Sequence, residues 1–251
     1  MAHFRRHFLR VVIDTMQKII SPNPQQVAQK FAEDFASWTN QSTDPIHVAL
    51  SGGSTPKILF QLWASDQCPE TDWSKVRFYW GDERCVPPDD EESNFGVTNS
   101  LFFQPAKIDP QNIYRVLGEN DPQEESERYA KTIADNAPSE NGTPQFDVMI
   151  LGMGTDGHTA SIFPNQFELM NNPNICAVAT HPDTGQQRVT LTGPVIRNSK
   201  RIAFLITGQN KLSVLTDIEN GTEESKGWPA SSFLTDPATL VYLDHAAVGK
   251  T

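Results

Sequence analysis

Short apolar runs alternate with amphipathic stretches along the chain. IHVAL (46–50), VRFYW (76–80), FDVMIL (146–151), ICAVAT (175–180), RIAFLIT (201–207) and TLVYL (239–243) predict strands. Several are unbroken apolar runs, as expected of parallel strands covered on both faces. Between them, helices carry readable starts. Pro24 opens PQQVAQKFAEDFASW, in which Val27, Phe31, Phe35 and Trp38 share one face. Asp121, Pro122 and Glu124 supply an N-cap, a first-position proline and a first-turn acid for EESERYAKTIAD. MQKIISPNPQQVAQKF, from Met16, reads as a strand running into the first of these helices. No repeat, low-complexity tract or long linker interrupts the pattern, which predicts one α/β domain over residues 16–251 with a mainly parallel sheet.

Composition narrows the function classes. With 251 residues, 37% hydrophobic and 20% charged, the chain is long enough for a sizeable core and reads as globular. No apolar run approaches the roughly 18 residues that span a bilayer, so no membrane partner is expected. The net charge of −11 opposes nucleic acid, and an anionic small substrate would need a local basic site. Cys68, Cys85 and Cys176 are odd in number and lack metal-ligand spacing, which predicts a reducing, cytoplasmic setting. Residues 1–15 are basic with no acid before Asp14, but contain no serine; they read as an N-terminal extension.

Ligands of open parallel sheets bind beyond the carboxyl ends of the strands, so the predicted strand ends are where chemistry is sought. After IHVAL come Ser51, Gly52, Gly53, Ser54 and Thr55, with Pro56 at a predicted first helical position. Glycines admit a ligand close to the backbone, hydroxyls add donors, and free N–H groups at a helix start favour an anion. After VRFYW come Gly81, Asp82, Glu83 and Arg84, three charges at one tip. The acidic run Asp89–Asp90–Glu91–Glu92 that follows has no histidine with it, and no metal is expected there.

The glycines of LGMGTDGHTASIFP (Gly152, Gly154, Gly157) match G-x-G-x-x-G, ahead of a predicted helix. A dinucleotide site also wants an acid at the end of the next strand. That strand ends in His181-Pro182, and Asp156 stands where a pyrophosphate would approach. The loop therefore reads as a display of His158, with Asp156 placed to orient the imidazole. Arg188 at a strand start and Lys211 in a first helical turn are candidate phosphate neutralisers. No nucleophile elbow appears, and Ser161 reads as part of an apolar helical turn. A general base, an arginine and a phosphate cradle suit water attack or proton transfer on a phosphorylated small molecule.

LSGGSTPK, GDER and LGMGTDGHTASIFP closely resemble motifs of the 6-phosphogluconolactonases, and RVTLT, TGQNK and WPASSFL occur in the same order, between about Met16 and Tyr242. The resemblance implies a three-layer α/β/α Rossmann-like fold shared with glucosamine-6-phosphate deaminases. It implies hydrolysis of 6-phosphoglucono-δ-lactone, the second step of the oxidative pentose phosphate pathway, with no cofactor. His158 then resembles the base that activates water, and Arg84 the charged partner near the reacting lactone. The loop from Ser51 to Thr55, with Arg188 and Lys211, resembles the phosphate and substrate holders. A monomer or small homo-oligomer is expected. Deaminase chemistry and a non-catalytic sugar-phosphate-binding module remain the alternatives. The deaminase branch has an aromatic residue where Arg84 stands and a carboxylate soon after the histidine, whereas here the first is Glu168.

Overall fold

The computed structural model describes residues 16–250, so the extension expected at 1–15 lies outside the described residues. Strand β1 (Gln17–Ser21) leads into helix α1 (Pro24–Gln41), whose cap residue Asn23 accepts from the Gln26 N–H. Next come β2 (Ile46–Leu50), α2 (Ser54–Trp63), β3 (Val76–Trp80), the short β4 (Asp82–Arg84) and a one-turn helix α3 (Asn94–Thr98). Asp121 caps α4 (Pro122–Asn136), which precedes the small hairpin β5 (Ser139–Glu140) and β6 (Thr143–Pro144) and then β7 (Val148–Leu151). β8 (Cys176–Thr180), β9 (Gln187–Leu191), α5 (Gly193–Arg197) and β10 (Ile202–Ile206) follow. Helices α6 (Leu212–Asn220) and α7 (Ser231–Leu234) then lead to β11 (Leu240–Asp244).

Six strands form the central sheet in the order β1-β11-β10-β7-β2-β3, all parallel. Successive residues of a strand point to opposite faces. The unbroken apolar runs therefore divide between two cores. Val48, Leu50, Phe78, Trp80 and Ile150 pack with Phe31, Phe35, Phe60 and Trp63 of α1 and α2. Ala49, Tyr79, Met149, Leu151 and Phe204 pack with Tyr129 and Ile133 of α4 and Leu215 and Ile218 of α6. The result is the expected α/β/α layering. The Tyr129 hydroxyl ties layer to sheet, accepting from the Trp80 N–H (2.8 Å) and donating to the Trp80 carbonyl (3.1 Å). Tyr129→Phe leaves both backbone groups unsatisfied and is expected to destabilise the fold by about 1–3 kcal/mol. An unchanged urea midpoint would show that the bond contributes nothing.

Two local expectations are corrected. ICAVAT does not join the parallel sheet: β8 pairs antiparallel with β9, and β9 with β4, in a separate three-stranded sheet. GDER is correspondingly a strand and not a loop tip, with Asp82 and Glu83 buried. Gly81 is the pivot between the sheets. Its N–H donates to the Leu50 carbonyl at the end of β2, and its own carbonyl accepts from the Leu191 N–H at the end of β9, both at 2.8 Å.

Candidate active site

The chain steps from β2 outward to β3, then returns to the other side of β2 as β7. Loops leaving β2 and β7 therefore diverge to opposite faces, opening a crevice at the carboxyl ends of the strands. The loop after β2 enters α2 on the α1 face, and the loop after β7 sends Met153, Ile162 and Phe163 into the opposite core. A cavity of about 240 Å³ occupies this crevice. The 51–55 loop, Arg84, His158, Arg188 and Lys211 all line it. Five stretches, from Ser51 to Lys211, thus share one cavity.

Within the first loop the residues divide. Ser51 is buried and its hydroxyl is engaged, donating to the Ile150 carbonyl at 2.8 Å. The Thr55 hydroxyl is shared with that of Thr207 at 2.7 Å, joining the loops after β2 and β10. Ser54 is exposed and, with Thr55, begins α2, so Pro56 is the third helical residue and not the first.

The glycine loop after β7 serves the histidine. His158 Nδ1 lies 2.6 Å from Asp156 Oδ1, which also accepts the His158 backbone N–H at 3.2 Å. As the donor in that contact, Nδ1 carries the ring proton and Nε2 keeps its lone pair. Burial raises the Asp156 pKa, but hydrogen bonds from His158 and its charge outweigh this and hold the carboxyl at about 2. Asp156 does not line the cavity; it backs the residue that does. Gly154 makes the pair possible, since a Cβ there would sit 2.2 Å from His158 Nδ1 and 2.3 Å from Asp156 Oδ1. Trp228, from WPASSFL, packs against Gly157, and the neighbouring Ala230 N–H donates to the Gly157 carbonyl at 3.0 Å. The predicted helix after this loop is absent. Thr159 and Ile162 close a tight bridge, and a 3-10 segment runs from Pro164 to Met170. Ser161 lies in that turn and is not helical; its hydroxyl donates to Asp82 Oδ2 at 2.6 Å.

Two arginines face each other. Arg84 on β4 is the register partner of Arg188 on β9. Like charges directly opposite on an antiparallel pair destabilise it. Each guanidinium also has a buried Nε–H with no partner among the described residues. Arg84 is anchored through Nη1 to the Glu92 carbonyl (2.5 Å), and Arg188 lies over the Phe163 ring (5.6 Å). Burial pushes the Arg188 pKa down, Asp82 holds it up, and Arg84 lowers it further. Such a pair stores unmet capacity for an anion. Lys211 closes the other flank. Its Nζ donates to the Met153 carbonyl at 2.7 Å, and burial lowers its pKa against the pull of Asp156.

Two lining groups, Asn94 and Thr207, carry no motif of their own and were not singled out from sequence. Glu83, read there only as one charge of three, organises the site from behind the cavity. Its carboxylate accepts the backbone N–H groups of Arg84 (2.7 Å), Asn94 (2.8 Å) and Phe95 (2.7 Å), tying the acidic loop shut at its base. Burial pushes its pKa up to about 7 against those donors. An acid next to Arg84 is the only trace of this in the sequence.

Residues 22–242 match the family described as glucosamine-6-phosphate isomerases/6-phosphogluconolactonase. The chain belongs to that family. It is 41% identical over 210 residues to the 6-phosphogluconolactonase of Treponema pallidum (strain Nichols), covering 84% of this chain and 87% of the relative. It is 40% identical over 235 residues to that of Haemophilus influenzae, covering 93% and 99%. A crystal structure titled devB protein superposes with a TM-score of 0.87 at 43% identity, covering 93% of this chain and 98% of the other. This member of the family is an enzyme of the lactone-hydrolysing kind, and the binding-module alternative falls away. Glu168, the first carboxylate after the histidine, is exposed and does not line the cavity. Among the described residues, no helix is long and apolar enough to cross a membrane.

Proposed function

We propose that this enzyme hydrolyses 6-phospho-D-glucono-1,5-lactone to 6-phosphogluconate, in the oxidative pentose phosphate pathway, by water that His158 activates. The observation that carries the reading is the Asp156-held imidazole sharing one cavity with the arginine pair. Asp156 keeps the ring proton on Nδ1, so Nε2 accepts a proton from water as its oxygen attacks the lactone carbonyl. The carbonyl oxygen becomes an oxyanion beside the Arg84 guanidinium, which is already charged and fixed before reaction. Collapse of the tetrahedral intermediate breaks the bond from carbonyl carbon to ring oxygen, and the imidazolium returns its proton to that oxygen. The N-terminus of α2 with Ser54 and Thr55, together with Arg188 and Lys211, holds the phosphate.

The test compares hydrolysis of the 6-phosphorylated lactone and of gluconolactone, each above its spontaneous rate. The phosphorylated compound is expected to be the far better substrate. Lys211→Ala and Arg188→Ala are each expected to raise KM about tenfold or more, consistent with loss of a charged hydrogen bond worth about 1.5–3 kcal/mol. Equal efficiency on the two lactones would remove phosphate recognition from this cavity.

A further inference from the structure

Asn94 lines both the main cavity and an adjoining recess of about 190 Å³. It is 4% exposed. Its backbone N–H is held by Glu83 (2.8 Å), and the Thr98 hydroxyl donates to its carbonyl (2.7 Å). Nδ2 donates to the Asp82 backbone carbonyl at 2.9 Å. That partner can only accept, so the amide orientation is fixed by chemistry. The remaining heavy atom, Oδ1, has no partner among the described residues. It sits against Gly52, where an added Cβ would fall 1.9 Å from Oδ1 and 2.6 Å from Cγ. The glycine of the 51–55 loop therefore leaves the space that this amide occupies.

Oδ1 is not among the unpartnered side-chain atoms shut off from solvent, so it opens to the space that Asn94 lines, where it can take a donor from a ligand. Arg84, Arg188, Lys211 and Ser54 supply the cavity with donors. A phosphate dianion, a lactone carbonyl and a ring oxygen only accept hydrogen bonds, so none of them can satisfy Oδ1. The donors of a sugar lactone are its hydroxyls. An uncharged acceptor meets one without repelling the phosphate or the forming oxyanion; the Asp82 carboxylate, by contrast, is held by Ser161. We infer that Asn94 Oδ1 accepts a hydrogen bond from a ring hydroxyl of the substrate and makes the enzyme selective for hydroxylated over deoxygenated lactones. This rests on the lactone-hydrolase reading above.

The experiment measures kcat/KM of wild type and Asn94→Ala on the 6-phosphorylated lactone and on its 2-, 3- and 4-deoxy counterparts. Wild type is expected to lose tenfold or more on one of the deoxy compounds, because a site built to bond a hydroxyl rejects the analogue lacking it. Asn94→Ala should lose tenfold or more on the parent, yet fall within about threefold of wild type on that same deoxy compound. Gly52→Ala, which displaces the amide while keeping Asn94, should reproduce the pattern and serves if Asn94→Ala does not fold. A loss by the same factor on all four lactones overturns the inference while leaving the hydrolase reading intact. Failure of wild type to hydrolyse the parent above its spontaneous rate overturns both.

Discussion

Replacing His158 with alanine lowers turnover by about 10²- to 10⁴-fold, the range expected when a general base is removed. The lactone opens by itself, so the measured quantity is enzymatic rate above the uncatalysed one. Substrate binding should be largely kept, because the phosphate holders lie on other loops. The fold should survive as well, since the imidazole is partly exposed and Asp156, its one hydrogen-bond partner among the described residues, is more exposed still. Asp156→Asn gives a complementary result. An amide can offer its N–H to Nδ1, which would place the ring proton on Nε2 and present a donor to water where an acceptor is needed. Turnover should fall while KM stays close to wild type. A His158→Ala enzyme retaining more than half of wild-type turnover would take the imidazole out of the chemistry.

Arg84→Met lowers turnover by at least tenfold, or about 1.4 kcal/mol of transition-state stabilisation. The guanidinium meets charge that develops only as water adds, so the loss falls on kcat more than on KM. Arg84→Lys should recover only part, because a point charge on a flexible stem does not reproduce a planar fork. The competing view makes Arg84 a clamp on the acidic loop through its bond to the Glu92 carbonyl. That view expects a lower melting temperature with normal turnover per folded molecule. Removing Arg84 also relieves its opposition to Arg188, so the catalytic view expects the melting temperature to hold. Measuring both on one preparation separates the two. Ammonia release from glucosamine-6-phosphate at rates comparable to lactone hydrolysis would overturn the hydrolase reading.

The parallel sheet was legible because its strands are continuous apolar runs, and burial on both faces demands that pattern. ICAVAT was misplaced for the same reason. Cys176 and Ala179 are its buried positions, while Ala177, Val178 and Thr180 are only half-buried. Small apolar residues read alike in a central strand and in an edge strand backed by a helix. GDER was read as a charged tip because sequence shows charge without its partners. Glu83 is buried only because three backbone N–H groups converge on it. The motifs foretold which residues line one cavity, but not how they are divided. Ser51 gives its hydroxyl to the Ile150 carbonyl of β7 and Asp156 stands behind the histidine, distinctions set by packing and not by residue type. Asn94 escaped notice since a single amide after an acidic loop has no periodicity and no motif.

The placement of β1 bears on how the protein is made. Among the described residues its only partner strand is β11, with Gln17 in register with Leu240. The first of the described strands to leave the ribosome thus waits for the last of them. Helix α1 is bound to the same late element, through the hydroxyl of Tyr242 to Asp34 at 2.8 Å. Domains that close locally can fold from the N-terminus as they are synthesised, whereas pairings this distant in sequence form slowly and leave edges exposed meanwhile. A nascent chain halted before residue 240 therefore carries β1 without its partner strand and Phe31 without its Tyr242 contact, an open edge for chaperones to meet, and it gains protease resistance in one late step.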